Sequence, residues 1–265
     1  MPEEFVESLK EQPSHYLIYG SGGTRKSTLV ATFPKPMIVH HTDPFSKDNP
    51  YLRKGRVTDF KKTPDGILYR EVYSNKNPDK LLIRIEYFHD TDPDCPTGFE
   101  MWEHQIATTD FSQYKTWAID SYTSLEALAR LKANSLPHKN EDGWFVPNEA
   151  RKMLERYMRH VFFGVYINLV LIAHVTRERV QSDTNESMIS NVYAPAAIGQ
   201  FKEDLTRIFP ETYVTRVVKK DGEHKIILQT EISSKYSACT QIPAPNNVEL
   251  TADFGYKDLW KNFKG

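Results

Sequence analysis

The apolar positions of this chain fall into short runs separated by polar and proline-rich stretches. Tyr16–Tyr19 reads as a short buried strand, followed by a glycine-bearing loop from Gly20 to Arg25 and a helix opening at Lys26. That helix must stop near Thr32, because Pro34 and Pro36 follow and proline lacks an N–H and restricts the residue before it. Met37–His41 is a second short strand, ending in Thr42-Asp43-Pro44. Lys115–Asp120 gives a third strand. Asn168–His174 gives the most hydrophobic one, as suits the centre of a parallel sheet. Between them the spacing predicts a helix over Ser124–Asn134, a polar loop from Pro137 to Pro147, and a longer helix over Asn148–Tyr166, where Met153, Tyr157, Val161 and Val165 repeat every four residues. A helix over Gly199–Ile208 follows, then a hairpin of Thr212–Lys219 and His224–Glu231 turning at Asp221-Gly222. Residues 1–14 predict a short helix or arm, and the tail holding Trp260 and Phe263 a short docking helix.

Two stretches interrupt this alternation. Residues 44–113 are rich in Pro, Asp, Lys and Asn and read as an insertion. They carry a hairpin, Gly66–Tyr73 and Leu81–Phe88 across Ser74–Asp79, and a helix over Phe99–Thr108. Thr176 to Pro195 reads as a polar loop, of a length that usually serves a function. Strands alternating with helices predict an α/β fold, a mostly parallel sheet flanked by helices, in one domain over residues 1–265. Ligands of such sheets sit at the carboxyl ends of strands, which singles out Gly20, Asp43, Asp120 and His174.

Composition narrows the class. Hydrophobic residues make up 39% of 265 and aromatics 12%, enough for a sizeable core and against global disorder. The formal net charge is −1, so nucleic-acid binding would have to come from local patches. Cys95 and Cys239 stand apart, which excludes a disulfide framework and fits a reducing compartment. The polar, acidic MPEEFVESLKEQ is not a signal peptide, and the apolar run near Val161–Ala173 is broken by Asn168 and too short to cross a bilayer. The expectation is a soluble, cytoplasmic protein with no membrane role.

The chemistry concentrates in His15–Thr32, HYLIYGSGGTRKSTLVAT. Strand, glycine loop, then Lys-Ser at a helix start is an arrangement that holds a nucleotide triphosphate. Backbone N–H groups from Gly20, Ser21, Gly22, Gly23, Thr24 and Arg25 can face phosphates, Lys26 supplies a point charge, Ser27 can ligate Mg²⁺, and Thr28 follows. The usual motif carries glycine where Arg25 stands. Arg25 either crowds the site, swings outward, or adds a cation to the phosphate field. Asp120 suits the acid that holds Mg²⁺, although a helix-capping aspartate would look the same. Asp43 suits an acid that orients the attacking water, although Asp-Pro is also a plain turn. His174 suits a group that reads the γ-phosphate, or a strand-end histidine. Arg177, Arg179 and Lys202 suit phosphate contacts or a solvated charged loop, and Trp144 and Phe145 base stacking. His89–Asp94 fails as a calcium loop, because Cys95 replaces its glycine and Met101 its glutamate.

Taken in order, GSGGTRKST, FPKPMIVHHTD, WAIDS and NLVLIAH followed by a polar stretch resemble the RecA-like P-loop ATPase core, and more closely the compact phage nucleotide-binding proteins of single-strand annealing and recombination. The resemblance covers roughly residues 15–45 and 114–235. It implies Lys26 and Ser27 on phosphate and Mg²⁺, Asp43 as water-activating acid, Asp120 as metal-holding acid and His174 as γ-phosphate sensor. It also implies Thr176–Pro195 as a DNA-contacting loop, and Lys235 as a lysine reaching across a subunit interface. The implied activity is DNA-dependent ATP hydrolysis with ATP and Mg²⁺, on single-stranded DNA in recombination or annealing. The implied partners are further copies of the chain in a ring or filament and a single-strand-binding protein, in the host cytoplasm if phage-encoded. Two departures stand: Arg25 for glycine, and aspartate rather than glutamate at 43. Arg25 and the near-neutral charge keep open a second reading, a degenerate P-loop protein that serves as a non-hydrolysing interaction module. DNA packaging or helicase loading would use the same phosphate site.

Overall fold

The computed structural model describes residues 12–260 except 45, 47–48, 91, 93, 138–142, 161–163, 183–184, 200, 221 and 243. In chain order come β1 (His15–Gly20), α1 (Lys26–Val30), β2 (Met37–His41), a 3-10 helix (Pro50–Lys54), β3 (Arg56–Val57), β4 (Lys61–Lys62), β5 (Leu68–Tyr73) and β6 (Leu81–Tyr87). Then follow α2 (Gly98–Thr108), β7 (Thr116–Asp120), α3 (Tyr122–Ser135), α4 (Phe145–His160), β8 (Asn168–Ser182), β9 (Asn185–Pro195), α5 (Phe201–Ile208), β10 (Glu211–Lys220), β11 (Glu223–Gln229), β12 (Val248–Glu249) and a 3-10 helix (Tyr256–Trp260). The chain divides into two compact units, Met1–Thr32 with Ile172–Gly265, and Phe33–Leu171.

In the first unit β1 pairs in parallel with β10, Tyr16 opposite Glu211 through Gly20 opposite Thr215. β10 pairs antiparallel with β11, and β11 with β12. β1 is buried from Tyr16 onward, which explains its unbroken apolar run. In the second unit β2 runs parallel to both β6 and β7, with His41 opposite Tyr87 on one side and Asp120 on the other. β5 then pairs antiparallel with β6, and β3 and β4 with β5. Phe99, Trp102, Trp117 and Tyr122 are fully buried here, and Trp102 meets Tyr157 of α4 edge-on at 5.4 Å. Parallel central strands, helices between them and antiparallel hairpins make the α/β class predicted above.

Three expectations change. The predicted hairpin within 44–113 is present as β5 and β6, but β6 also pairs in parallel with β2, so this stretch builds part of the central sheet. Thr176–Pro195 is not a loop: β8 continues to Ser182 and pairs with β9, from Val175 opposite Pro195 to Ser182 opposite Asn185. Backbone pairing is indifferent to side-chain polarity, and a ribbon of polar residues keeps its ladder. α4 begins at Phe145 rather than Asn148, because Pro147 falls in its first turn, where an N–H has no intrahelical partner to lose. The predicted arm at 1–11, the continuation of α4 through 161–163, Asp221 of the predicted turn and Phe263 lie outside the described residues.

The second unit buries a titratable cluster. His40 is fully buried, with Phe88 and Trp117 edge-on to its ring at 5.2 and 5.3 Å. Burial, with Arg84 nearby, pushes its pKa down to about 3. The 3.5 Å approach of its Nε2 to Glu86 Oε2 is therefore not an ion pair. Burial raises the pKa of the Glu86 carboxyl, while Arg84 Nε at 2.7 Å and Gln105 Nε2 at 3.0 Å donate to its Oε1. In the unfolded chain His40 titrates near pH 6.5, so below that the unfolded state takes a proton that the folded state refuses. Its effect is a loss of stability as pH falls from about 6.5, levelling off near pH 3. Glu86 works in the opposite sense, gaining its proton first in the folded state. Urea unfolding followed from pH 7 to 5 should show His40→Phe flattening the acid slope by up to about 1.4 kcal/mol per pH unit. An unchanged slope would place the proton uptake elsewhere.

Candidate nucleotide site

Position 20, the last of β1, is glycine for a steric reason. A Cβ there would lie 2.1 Å from the Thr215 carbonyl of β10. The chain then turns outward through exposed Ser21, Gly22 and Gly23, with Gly23 at φ +72°, and no other atom lies within 4 Å of where a Cβ on Gly22 or Gly23 would sit. Thr24 turns inward and is buried. Its hydroxyl donates to the Ser21 carbonyl at 2.7 Å and lies 2.6 Å from the Thr215 hydroxyl. Sequence places Thr24 on the nucleotide; the structure gives its hydroxyl a role in shaping the loop.

Arg25 takes the left-handed conformation, φ 61° and ψ 20°, a position that favours glycine and costs another residue roughly 1–2 kcal/mol. Its side chain is exposed and its Nη1 donates to the Leu250 carbonyl at 2.8 Å. Of the three possibilities for Arg25, this is the outward one. Lys26 is buried, and its Nζ donates to the carbonyls of Gly20 at 2.9 Å and Ser21 at 2.7 Å. The ammonium is thus folded back over the loop. Ser27 and Thr28 are half-buried in the first turn of α1. α1 spans only Lys26–Val30, so its macrodipole is small and the loop's own N–H groups are its main electrostatic asset. Beyond it, Thr32 Oγ1 accepts from Tyr256 N at 2.7 Å, tying the helix end to the closing 3-10 helix.

In the second unit the parallel pairing of β2 and β7 brings Asp43 and Asp120 to the same end of neighbouring strands. Asp120 is buried, and Tyr51, fully buried, donates its hydroxyl to Asp120 Oδ2 at 2.9 Å. Half-buried Asp43 accepts on one oxygen, Oδ1, from the hydroxyls of Ser121 at 2.6 Å and Ser124 at 2.5 Å. Ser121 is the N-cap of α3. Thr42 closes the link, donating to the Ser121 carbonyl at 2.6 Å and accepting from the Ser121 N–H at 3.0 Å. Tyr51, Thr42, Ser121 and Ser124 escape a reading of the sequence. The apolar-then-Asp signal marks the acids but not the hydroxyls that tertiary register brings to them.

The remaining predicted residues are spread over the first unit. His174 on β8 is half-buried, and its carbonyl accepts from Ala196 N at 2.8 Å. Arg177 is exposed and crosses the β8–β9 ribbon to Asn191 Oδ1 at 2.7 Å. Arg179 pairs through its backbone with Asn191, and its side chain lies outside the described residues. Lys202 is half-buried on α5. Lys235 is exposed, with its carbonyl accepting from Tyr193 N at 2.8 Å, so its segment is tied to β9. In the second unit, Trp144 stands 75% exposed just before α4.

Within the first unit the loop offers open glycines, a buried ammonium and a hydroxyl at Ser27, and within the second unit Asp120 offers carboxylate oxygen; each is a donor type that Mg²⁺ or a nucleotide phosphate accepts. Among the described residues no cluster of three or more His, Cys, Asp or Glu could hold a metal by itself, and no helix is long and apolar enough to cross a membrane.

No curated protein matches the chain. Among solved structures it is similar to a KaiC-like protein from the archaeon Pyrococcus horikoshii, with 12% identity, 82% of this chain and 78% of that chain covered, and a TM-score of 0.40. It is also similar to the flagellar accessory protein FlaH from Methanocaldococcus jannaschii, with 11% identity, 87% and 83% covered, and a TM-score of 0.42. The AAA domain family matches residues 12–242, a span that holds the phosphate loop, both acids and the β8–β9 ribbon. The chain belongs to the AAA domain family.

Proposed function

We propose that the protein binds Mg²⁺–ATP on the Gly20–Thr28 loop and hydrolyses it, acting on single-stranded DNA in phage recombination or annealing as a ring or filament of identical chains. The observation that carries the nucleotide reading is Lys26, buried with its Nζ on the Gly20 and Ser21 carbonyls. An arriving phosphate would exchange those neutral carbonyl acceptors for anionic oxygens, adding charge–charge attraction to the ammonium's hydrogen bonds. The carriage of Arg25 on Leu250 favours this reading over a degenerate loop, since its guanidinium is engaged away from the glycines.

The roles are assigned from donor chemistry and, for Lys235 and the DNA contacts, from the sequence resemblance. Lys26 neutralises the β- and γ-phosphates and Ser27 offers its hydroxyl to Mg²⁺. Asp120 supplies carboxylate oxygen for the metal, with Tyr51 fixing its orientation. Asp43, with one oxygen held by Ser121 and Ser124, orients the attacking water through the other. His174 senses the γ-phosphate and passes its state to the β8–β9 ribbon. Arg177, Arg179 and Lys202 meet DNA phosphates, and Lys235 reaches a neighbouring copy. Catalysis here is positioning and charge neutralisation. The single-strand and recombination parts rest on the sequence resemblance alone.

Three measurements test this. ATP turnover by the purified chain should rise with single-stranded DNA and vanish in Lys26→Ala; turnover equal to that of the variant would favour the non-hydrolysing module. Arg25→Gly should leave nucleotide affinity within about threefold, because the Arg25 guanidinium is held on the Leu250 carbonyl and not among the glycines; a gain of tenfold or more would mean Arg25 obstructs the site. Tyr51→Phe should lower kcat about tenfold while ATP affinity stays within about twofold, the split expected when a positioning hydroxyl is removed.

A further inference from the structure

The stretch 44–113 contributes more than a sheet strand. Its outer edge, from Arg53 to Lys62, places five cations against one acid, Asp59, within ten residues of a chain whose formal charge is −1. All five are exposed: Arg53 and Lys54 at the end of the 3-10 helix, Arg56 on β3, and Lys61 and Lys62 on β4. Between them Phe60 stands 50% exposed. Charged edges also serve to block unwanted strand pairing, but that purpose is not helped by a half-exposed phenylalanine.

Two of the five cations, Arg56 and Lys61, lie near rings of this edge, beside Arg70 of β5 and Arg84 of β6. Arg70 Cζ lies 4.8 Å from the Phe60 ring centroid, and Arg56 Cζ is 5.9 Å from that of Tyr73. Lys61 Nζ and Arg84 Cζ lie 5.8 and 4.1 Å from that of Tyr69. Lys61 also meets Glu71 at 2.8 Å. Next to this edge, the Lys35 pKa is pushed down to about 7, by burial and then by the Lys54 charge. Cations flanking an exposed aromatic ring on a sheet edge suit a single strand, phosphates on the cations and an unpaired base against the ring.

We infer that this edge, Arg53, Lys54, Arg56, Phe60, Lys61 and Lys62, is a binding surface for single-stranded DNA, separate from the β8–β9 ribbon. The inference rests on the single-strand part of the proposed function and names a second place on the chain where the strand is held. A duplex keeps its bases stacked inward and would bring no open base face to the exposed part of Phe60.

The test is fluorescence anisotropy of a labelled oligothymidylate with the full chain, without nucleotide, across a salt series. Combined Arg53→Ala, Lys54→Ala and Lys62→Ala should make the log–log salt dependence shallower by about 2, at about 0.7 for each phosphate no longer neutralised. Phe60→Ala should weaken binding about tenfold with little change in that slope. Circular dichroism and thermal melting of each variant should match the parent. If both variants bind as the parent does while Arg177→Ala binds less, this surface is overturned and the single-strand reading stands. If the parent binds no oligothymidylate even at low salt, both fall. Equal binding of duplex, with Phe60→Ala silent, or tighter binding of oligouridylate, would also overturn the assignment to single-stranded DNA.

Discussion

The nucleotide loop depends on one residue outside it. Thr215 of β10 presses its carbonyl against Gly20, where no side chain fits, and sets its hydroxyl 2.6 Å from that of Thr24. The two ends of the loop are thereby fixed to one point of a neighbouring strand. What lies between, Ser21 to Gly23, is exposed and unencumbered. Rigid ends and an open middle are what backbone N–H groups need to converge on an anion without a large ordering cost. The parallel register of β1 and β10 sets this geometry, so loop and sheet cannot be varied independently.

The second unit solves a related problem with hydroxyls. A carboxylate at a strand end is mobile unless something orients it, and both acids here are oriented by O–H donors: Tyr51 on Asp120, Ser121 and Ser124 on Asp43. Because Ser121 also caps α3, the start of that helix and the position of Asp43 are one structure. The reciprocal bonds between Thr42 and Ser121 fasten the ends of β2 and β7 together. Charge-assisted hydrogen bonds of this kind are short and strong, and they hold a carboxylate in one orientation.

Much of this is legible in the chain itself. Local grammar marks β1, the glycine loop, β2, β7 and α3, because apolar runs, prolines and N-caps act over a few residues. The placement of β6 beside β2 is not legible, since alternation at Leu81–Tyr87 announces a strand without naming its partner. The β8–β9 ribbon reads as a loop because its polar residues conceal a ladder made by backbone alone. Asp43 and Asp120 can be picked out by their place after apolar runs; Tyr51 cannot, since the residues that bring it to Asp120 act only through the assembled unit. Arg25 shows the same limit, as its partner Leu250 is distant in sequence.

That last pairing has a consequence for how such a chain can change over time. Arginine at position 25 is tolerable only while a carbonyl waits for its guanidinium, and Leu250 belongs to the same closing segment that ties Tyr256 to Thr32. A lineage that shortened or rerouted this segment would leave Arg25 both strained and without its acceptor, and selection would return the position to glycine. The loop residue and the closing segment can therefore be exchanged only together.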